Sequence, residues 1–346
     1  MTPLLPTEEW IRELPKAEVH LHLEGCVPHE MVRRATAPAG RATAPAGRAA
    51  PLVPAAPPTI TNLSQLLTYL DWSCGLIDQA DQLEQIAYAI TTRAKHSGAG
   101  HVDIIVNPTH WPHWQHDLKA MIDALDAGLR AGQADHGTTT ALCISIKRNQ
   151  TRSEALELVD TLLELAHPRV AALSIDGNEA NGAESHNSRF APAFERARHA
   201  GLRRTAHAGE SSGPEGVREA IELLGAERID HGIRCLEDPQ VTALVAARGI
   251  PLDICPTSNV VLGVVRDLAN HPIKQLRASN IRCSLNTDDP LLYDIDLAGE
   301  YERVAEAFHY GTDELGEMAR VGLESCFADE DRRFTLLKHL DDYLSG

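Results

Sequence analysis

The chain has 346 residues, 43% of them hydrophobic and 23% charged, with a formal net charge of −17. That length supports a large core. The acidic balance excludes a nucleic-acid backbone or an anionic membrane surface as the main partner.

Taken in chain order, the stretch MTPLLPTEEWIRELPK has no basic region followed by an apolar run, so no signal peptide is expected. No later run is long and apolar enough to suggest a membrane span. The first strand candidate is AEVHLHL, residues 17–23. Alternate side chains of a strand share a face, so His20 and His22 point one way and Val19, Leu21 and Leu23 the other. Two buried imidazoles on one face need partners. A shared metal ion supplies them, and so does a hydrogen-bonded pair of core histidines. Residues 34–58 repeat the heptad RATAPAG and are dominated by Pro, Ala and Gly. They read as a flexible surface loop enlarged by duplication, with a lid as the alternative.

Helical patterns over 61–76 and 80–97 lead to the next strand, HVDIIVN at 101–107. NPTHWPHWQH, residues 107–116, follows it. Trp111 and Trp114 either stack on a ligand at the pocket mouth or pack onto the body as a staple. His110, His113 and His116 read as solvated loop residues, a second metal site being the sharper alternative. Further strands are expected at 139–147, 170–175, 203–208, 228–232, 251–255 and 281–287. The helix over 151–167 opens with a capping-box pattern, Thr151 and Glu154, and places Leu156, Val159 and Leu163 on one face. Eight strands, each followed by helix, is the count of a TIM-type (β/α)8 barrel, here one domain over residues 1–346 with extra helices after strand 1. A doubly wound open sheet is the competitor, weakened because no GxGxxG or GxxxxGK[ST] loop follows any strand. Seven scattered cysteines without a CxxC pair read as free thiols in a reducing cytoplasm.

A barrel collects its catalytic groups at the C-terminal ends of the strands. The unusual polar residues fall there: His20 and His22 close strand one, and HAGE puts His207 at the end of strand five with Glu210 just beyond. IDHG puts His231 at the end of strand six, and SLNTDDP puts Asp288 and Asp289 after strand eight. Each motif alone reads blandly, as a satisfied histidine or a turn. Together, three imidazoles and a carboxylate suit one zinc ion, held by His20, His22, His207 and Asp288 with a position left for water. His231 and Glu210 remain as an acid/base pair.

The motifs LPKAEVHLHLEG, HAGE, RIDHGIR, CPTSNV and SLNTDDP, in this order, resemble those of the adenosine deaminase family within the amidohydrolase superfamily. The resemblance implies zinc-dependent hydrolytic deamination of a 6-aminopurine nucleoside, adenosine to inosine, by a cytoplasmic enzyme whose partner is a small purine. It implies Glu210, His231 and Asp288 as catalytic groups, with Glu210 protonating the ring and His231 orienting the hydroxide. His22, Glu24, Gly177 and Asp289 would border the substrate. SIDGNE is two residues shorter than the family's stretch after strand four, which leaves Gly177 as the best match for its base-binding glycine. Glu24 replaces the aspartate usual in adenosine-specific members, so adenine deaminase and aminodeoxyfutalosine deaminase are the alternatives. A binuclear hydrolase would need a bridging group, commonly a carboxylated lysine ending strand four, which LSIDG lacks. A non-catalytic metal-stabilised protein would need neither Glu210 nor His231.

Overall fold

The computed structural model describes residues 5–36, 60–180 and 187–346. Eight parallel strands pair in sequence order. They are β1 Lys16–His22, β2 Ala99–Val106, β3 Thr139–Lys147, β4 Val170–Asp176, β5 Arg203–Ala208, β6 Arg228–His231, β7 Leu252–Ile254 and β8 Cys283–Leu285. The ring is drawn together between β1 and the segment after β8. Leu21 and Asp288 form a parallel bridge; His22 N–H donates to Asp288 O at 2.8 Å, and Asp288 N–H donates to His20 O at 3.1 Å. This is the expected TIM-type barrel, and each expected strand lies within two residues of an observed one.

Helices Leu63–Cys74 and Ala80–His96 stand between β1 and β2 as expected. A shorter helix, His29–Thr36, precedes them. Residues 34–36, expected in the Pro/Ala/Gly-rich loop, complete that helix; residues 37–58 lie outside the described residues. Helix Arg152–Leu165 carries the capping box of Thr151 and Glu154. Its buried face is Ala155, Val159 and Leu162, with Leu156 and Leu163 half-buried at the edges, so the contact face is rotated from the one expected. All seven cysteines are buried and free. Among the described residues no helix is long and apolar enough to cross a membrane.

The barrel interior carries a buried charge network. Arg228 on β6 is fully buried. Its Nη1 donates to Asp103 Oδ2 on β2 at 2.5 Å, and its Nη2 to Val19 O on β1 at 2.7 Å. Its Nε lies 3.0 Å from Asp253 Oδ2 on β7 and 3.8 Å from Asp230 Oδ1 on its own strand. The Phe327 ring covers the guanidinium, 4.0 Å from Arg228 Cζ to the ring centroid. Burial works against the charge on Asp103, but Arg228 and His101 outweigh it and hold the carboxyl below its usual range. One cation thus ties three strands to its own.

Removing one partner of such a network strands the others as uncompensated buried charges. Arg228→Met is therefore expected to lower the unfolding free energy by about 3–5 kcal/mol, read from urea denaturation. An unchanged midpoint would mean that the network does not hold the barrel together.

Candidate active site

At the C-terminal ends of the strands five metal-capable side chains converge. His20 Nε2 and His22 Nε2 each lie 3.0 Å from His207 Nε2. Both also lie 3.4 Å from Asp288 Oδ1. One donor atom each from His20, His207, His231 and Asp288 lies within 4.8 Å of the others, the one such group of buried residues among the described residues. His231 stands slightly apart: its Nε2 is 3.7 Å from Glu210 Oε1 and 3.9 Å from Asp288 Oδ2.

The imidazole protons are placed by the strands. His20 Nδ1–H donates to Asp253 O at 3.0 Å, and His207 Nδ1–H to Ile175 O at 3.1 Å, because a carbonyl can only accept. In the neutral rings both Nε2 atoms then carry lone pairs, and these face each other. Burial first, then the neighbouring His20 and His22, keeps His207 far below the usual imidazole range, hence neutral. Facing lone pairs repel unless a proton or a metal ion sits between them. The donor chemistry therefore fits a metal ion, and so does the spacing. Ligands about 2.0–2.1 Å from a tetrahedral centre stand about 3.3–3.4 Å apart.

A second layer fixes the remaining groups. Ser258 Oγ donates to Asp288 Oδ2 at 2.6 Å. His271 Nε2–H donates to Asn259 Oδ1 at 3.1 Å, which turns the Asn259 amide NH2 towards His231 Nδ1 at 3.5 Å. The His231 proton then sits on Nε2, facing Glu210 and Asp288. His231 and Asp288 both have positive φ, 140° and 64°, conformations that cost about 1–3 kcal/mol each for residues with a side chain. Gly25 lets the loop after β1 close on Asp289: a Cβ there would meet Asp289 Oδ1 at 2.3 Å. Burial, then the adjacent Asp288, pushes Asp289 well above the usual carboxylate range. Glu210 is pushed the same way by burial, then by Asp288 and Glu179.

Above this floor is a narrow pocket. His22, Glu24, Asp176, Gly177, Glu210, Asp288 and Asp289 border it on the polar side. Leu63, Leu66, Leu67 and Leu70 of helix Leu63–Cys74, with Leu262, form an apolar wall. The structure thus brings together every site residue named from the sequence, with His20 in the floor beneath.

The tryptophans differ from the stacking expectation. Trp111 is fully buried, and its Nε1–H donates to Glu24 Oε1 at 2.7 Å. Asn107 N–H donates to the same oxygen at 2.9 Å. Trp114 packs inward and donates to Ile77 O at 2.8 Å, the staple alternative. The three loop histidines do not converge: His110 Nδ1 meets Asp71 at 2.6 Å, His113 Nε2 meets Gly75 O at 3.2 Å, and His116 is exposed. Sequence reasoning missed the supporting groups Ser258, Asn259, Asp253 and Glu179. Ser258 and Asn259 did carry a signal, since they follow the end of β7 within the quoted CPTSNV.

The family model described as "Adenosine deaminase" matches residues 15–343. An adenine deaminase of Rhodopseudomonas palustris is 31% identical over 338 residues, 98% of this chain and 96% of that protein. One of Sinorhizobium medicae is 32% identical over 94% of this chain and 98% of its own length. The crystal structure of an adenine deaminase from Arthrobacter aurescens superposes with a TM-score of 0.86 at 27% identity, covering 96% of this chain and 99% of that one. An amidohydrolase structure with bound Zn, from Burkholderia ambifaria, gives a TM-score of 0.82 at 26% identity over 99% of this chain and 97% of that one.

Glu24 is 2% exposed; these two donors hold one oxygen of its carboxylate, and His22 Nδ1 lies 3.8 Å from the other. Trp111→Phe keeps the ring in place and removes one of the two donors. It is expected to cost about 1–3 kcal/mol of stability, the usual penalty for under-satisfying a buried charged acceptor. Thermal denaturation checks this, and an unchanged melting temperature would show that the bond holds nothing.

Proposed function

The chain belongs to the adenosine deaminase family of aminohydrolases, and on that premise we propose that its substrate is the free base adenine, hydrolysed to hypoxanthine and ammonia. The nucleoside expected first from the sequence gives way to the alternative reading. The observation that carries this is the state of Glu24. Its Oε1 is fully used by Trp111 and Asn107, while Oε2 is buried beside the pocket with His22 Nδ1 3.8 Å away and no partner within hydrogen-bond distance, so it has capacity for another donor. Burial opposes its charge, but His22 and His110 outweigh burial and keep the carboxyl below its usual range, so it is an anionic acceptor. A free purine base has an imidazole-ring N–H to offer such an acceptor. In a nucleoside that nitrogen is bonded to the sugar. The apolar wall suits a flat base better than a ribose with its hydroxyls, and the relatives named above as adenine deaminases support the same reading.

We assign one zinc ion per chain to His20, His22, His207 and Asp288. His22 is preferred over His231 because it shares the 3.0 and 3.4 Å spacings of His20, whereas His231 faces Glu210 and the other Asp288 oxygen. When bound, zinc supplies the Lewis acidity that brings a water's pKa down to about 7. Glu210, its carboxyl pushed well above the usual range by burial, gives a proton to the ring nitrogen beside the amino-bearing carbon and makes that carbon electrophilic. His231 Nε2–H hydrogen-bonds the attacking water oxygen. The water oxygen adds to the amino-bearing carbon as the ring C–N double bond passes its electrons to the protonated ring nitrogen; the bond to the amino group then breaks, one water proton goes to the amine, which leaves as ammonia, and the other returns to Glu210. Asp289, protonated by its surroundings, donates to the acceptor nitrogen of the imidazole ring, and Gly177 N–H meets the opposite edge of the base.

Elemental analysis of protein purified without added metal is expected to give about one equivalent of zinc, since His20, His22, His207 and Asp288 supply four donors to one ion and a water would complete a five-coordinate site. Two equivalents would overturn the mononuclear assignment.

Deamination followed by ultraviolet absorbance, across adenine, adenosine, 2′-deoxyadenosine and aminodeoxyfutalosine, tests the substrate. Adenine is expected to lead in kcat/KM by about 10²-fold or more, as sites that read a hydrogen-bonding group reject analogues lacking it. Glu24→Gln should lower kcat/KM for adenine by about 10- to 100-fold, the worth of one charged hydrogen bond. Adenosine matching or exceeding adenine would overturn the proposal.

A further inference from the structure

We propose that Glu179, in the loop after β4, is a positioning residue for Glu210; this rests on the reading that Glu210 delivers the proton. Glu179 is itself buried. Its Oε2 accepts the Gly209 N–H at 2.8 Å and its Oε1 accepts the Glu210 N–H at 3.3 Å. Ser212 Oγ–H donates to Oε2 as well. One carboxylate therefore gathers two successive backbone amides and a hydroxyl, all from the turn that carries Glu210. Two adjacent N–H groups point the same way only where the chain turns sharply. Gly209 provides this with φ +70°, and a Cβ there would meet Val217 Cγ2 at 2.5 Å.

The other end of the segment is held by an opposite charge. Arg148, buried after β3, donates from Nη2 to His207 O at 2.5 Å and from Nη1 to Asn187 Oδ1 at 2.8 Å. The four residues from His207 to Glu210 are thus gripped at the first carbonyl by a guanidinium and at the last two amides by a carboxylate. His207 is a proposed zinc ligand and Glu210 the proposed proton donor, so this grip sets the distance between them. A second carboxylate packed against Glu210 is an odd choice for structure alone, since it brings two acids together in a buried place. A neutral acceptor could satisfy one amide. Only a carboxylate offers two equivalent acceptors for a pair of amides and a hydroxyl.

Three variants test this: Glu179→Gln, Glu210→Gln and the double variant, each assayed on adenine and analysed for zinc. Glu179→Gln is expected to lower kcat by about 10- to 100-fold, as small misplacements of a reacting group do, with KM nearly unchanged and zinc retained. In the Glu210→Gln background the same change should cost nothing further, because its effect runs through Glu210. A full additional loss in the double variant would overturn the proposal. So would full activity of Glu179→Gln beside an inactive Glu210→Gln, which would leave the deaminase assignment standing. Near-full activity of Glu210→Gln alone would remove the premise and the proposal together. If Glu179→Gln does not fold, Ser212→Ala removes only one of the three donors. It is expected to lower kcat several-fold with the same non-additivity, and an unchanged kcat there overturns the proposal.

Discussion

His20 Nε2 and His207 Nε2 lie 3.0 Å apart, a contact that needs a shared proton or a metal ion between the rings, and much of the site is arranged around it. His20 and His207 have each committed the Nδ1 proton to a strand carbonyl, so neither ring can turn away without breaking a buried hydrogen bond. Neutral rings in that position are destabilising until a cation joins them. The barrel accepts this locally unfavourable geometry because its strands are held elsewhere. The positive φ values of His231 and Asp288 belong to the same account. Both residues are strained to aim a side chain at one point, and both lie where the ladder between strands ends.

What holds the strands is itself polar. Arg228 reaches β1, β2 and β7 from β6, and two of its neighbours touch the imidazoles from below. Asp253 gives its carboxylate to Arg228 and its carbonyl to His20. Asp230 lies beside Arg228 on one side and 3.7 Å from His207 Nδ1 on the other. The charge network at the centre of the barrel and the metal-capable cluster at its mouth are therefore one connected structure. Orientation of the ligands and cohesion of the strands draw on the same residues.

Much of this was legible in the sequence, and the reason is geometric. In a barrel, strand ends share one face, so a histidine or acid at the end of each apolar run announces the site without any knowledge of contacts. The pairing of His20 with His22 follows from the two-residue period of a strand. The supporting groups carry no such signal. Asp103 and Asp253 each sit alone within an apolar run, Arg228 opens its strand beside Glu227, and only the closed ring brings them together. Glu179 and Arg148 act on the backbone of residues about 30 and 60 positions away, which no local pattern encodes. Trp111 was open to a wrong reading for the same reason. A tryptophan in a loop at a pocket mouth suggests stacking, whereas burial turns its indole N–H to Glu24.

The placement of Glu24 separates two tasks. On the proposed reading the hydrolytic groups stand at the ends of β5, β6 and β8 with the paired histidines of β1. Glu24 follows β1, but its Oε1 takes two donors, Asn107 and Trp111, from the segment after β2. On the proposed reading, recognition of the base edge is therefore built between β1 and β2, across the pocket from Glu210. The carboxylate reaches this point because a glutamate arm is one methylene longer than an aspartate, and Trp111 fills the space behind it. A shorter side chain would leave the indole N–H and the Asn107 amide under-satisfied in a dry place. Glutamate at position 24 and tryptophan at position 111 thus form one unit. On that reading a change of substrate would require changing both, with no demand on the proposed zinc ligands or on the residues proposed to move the proton.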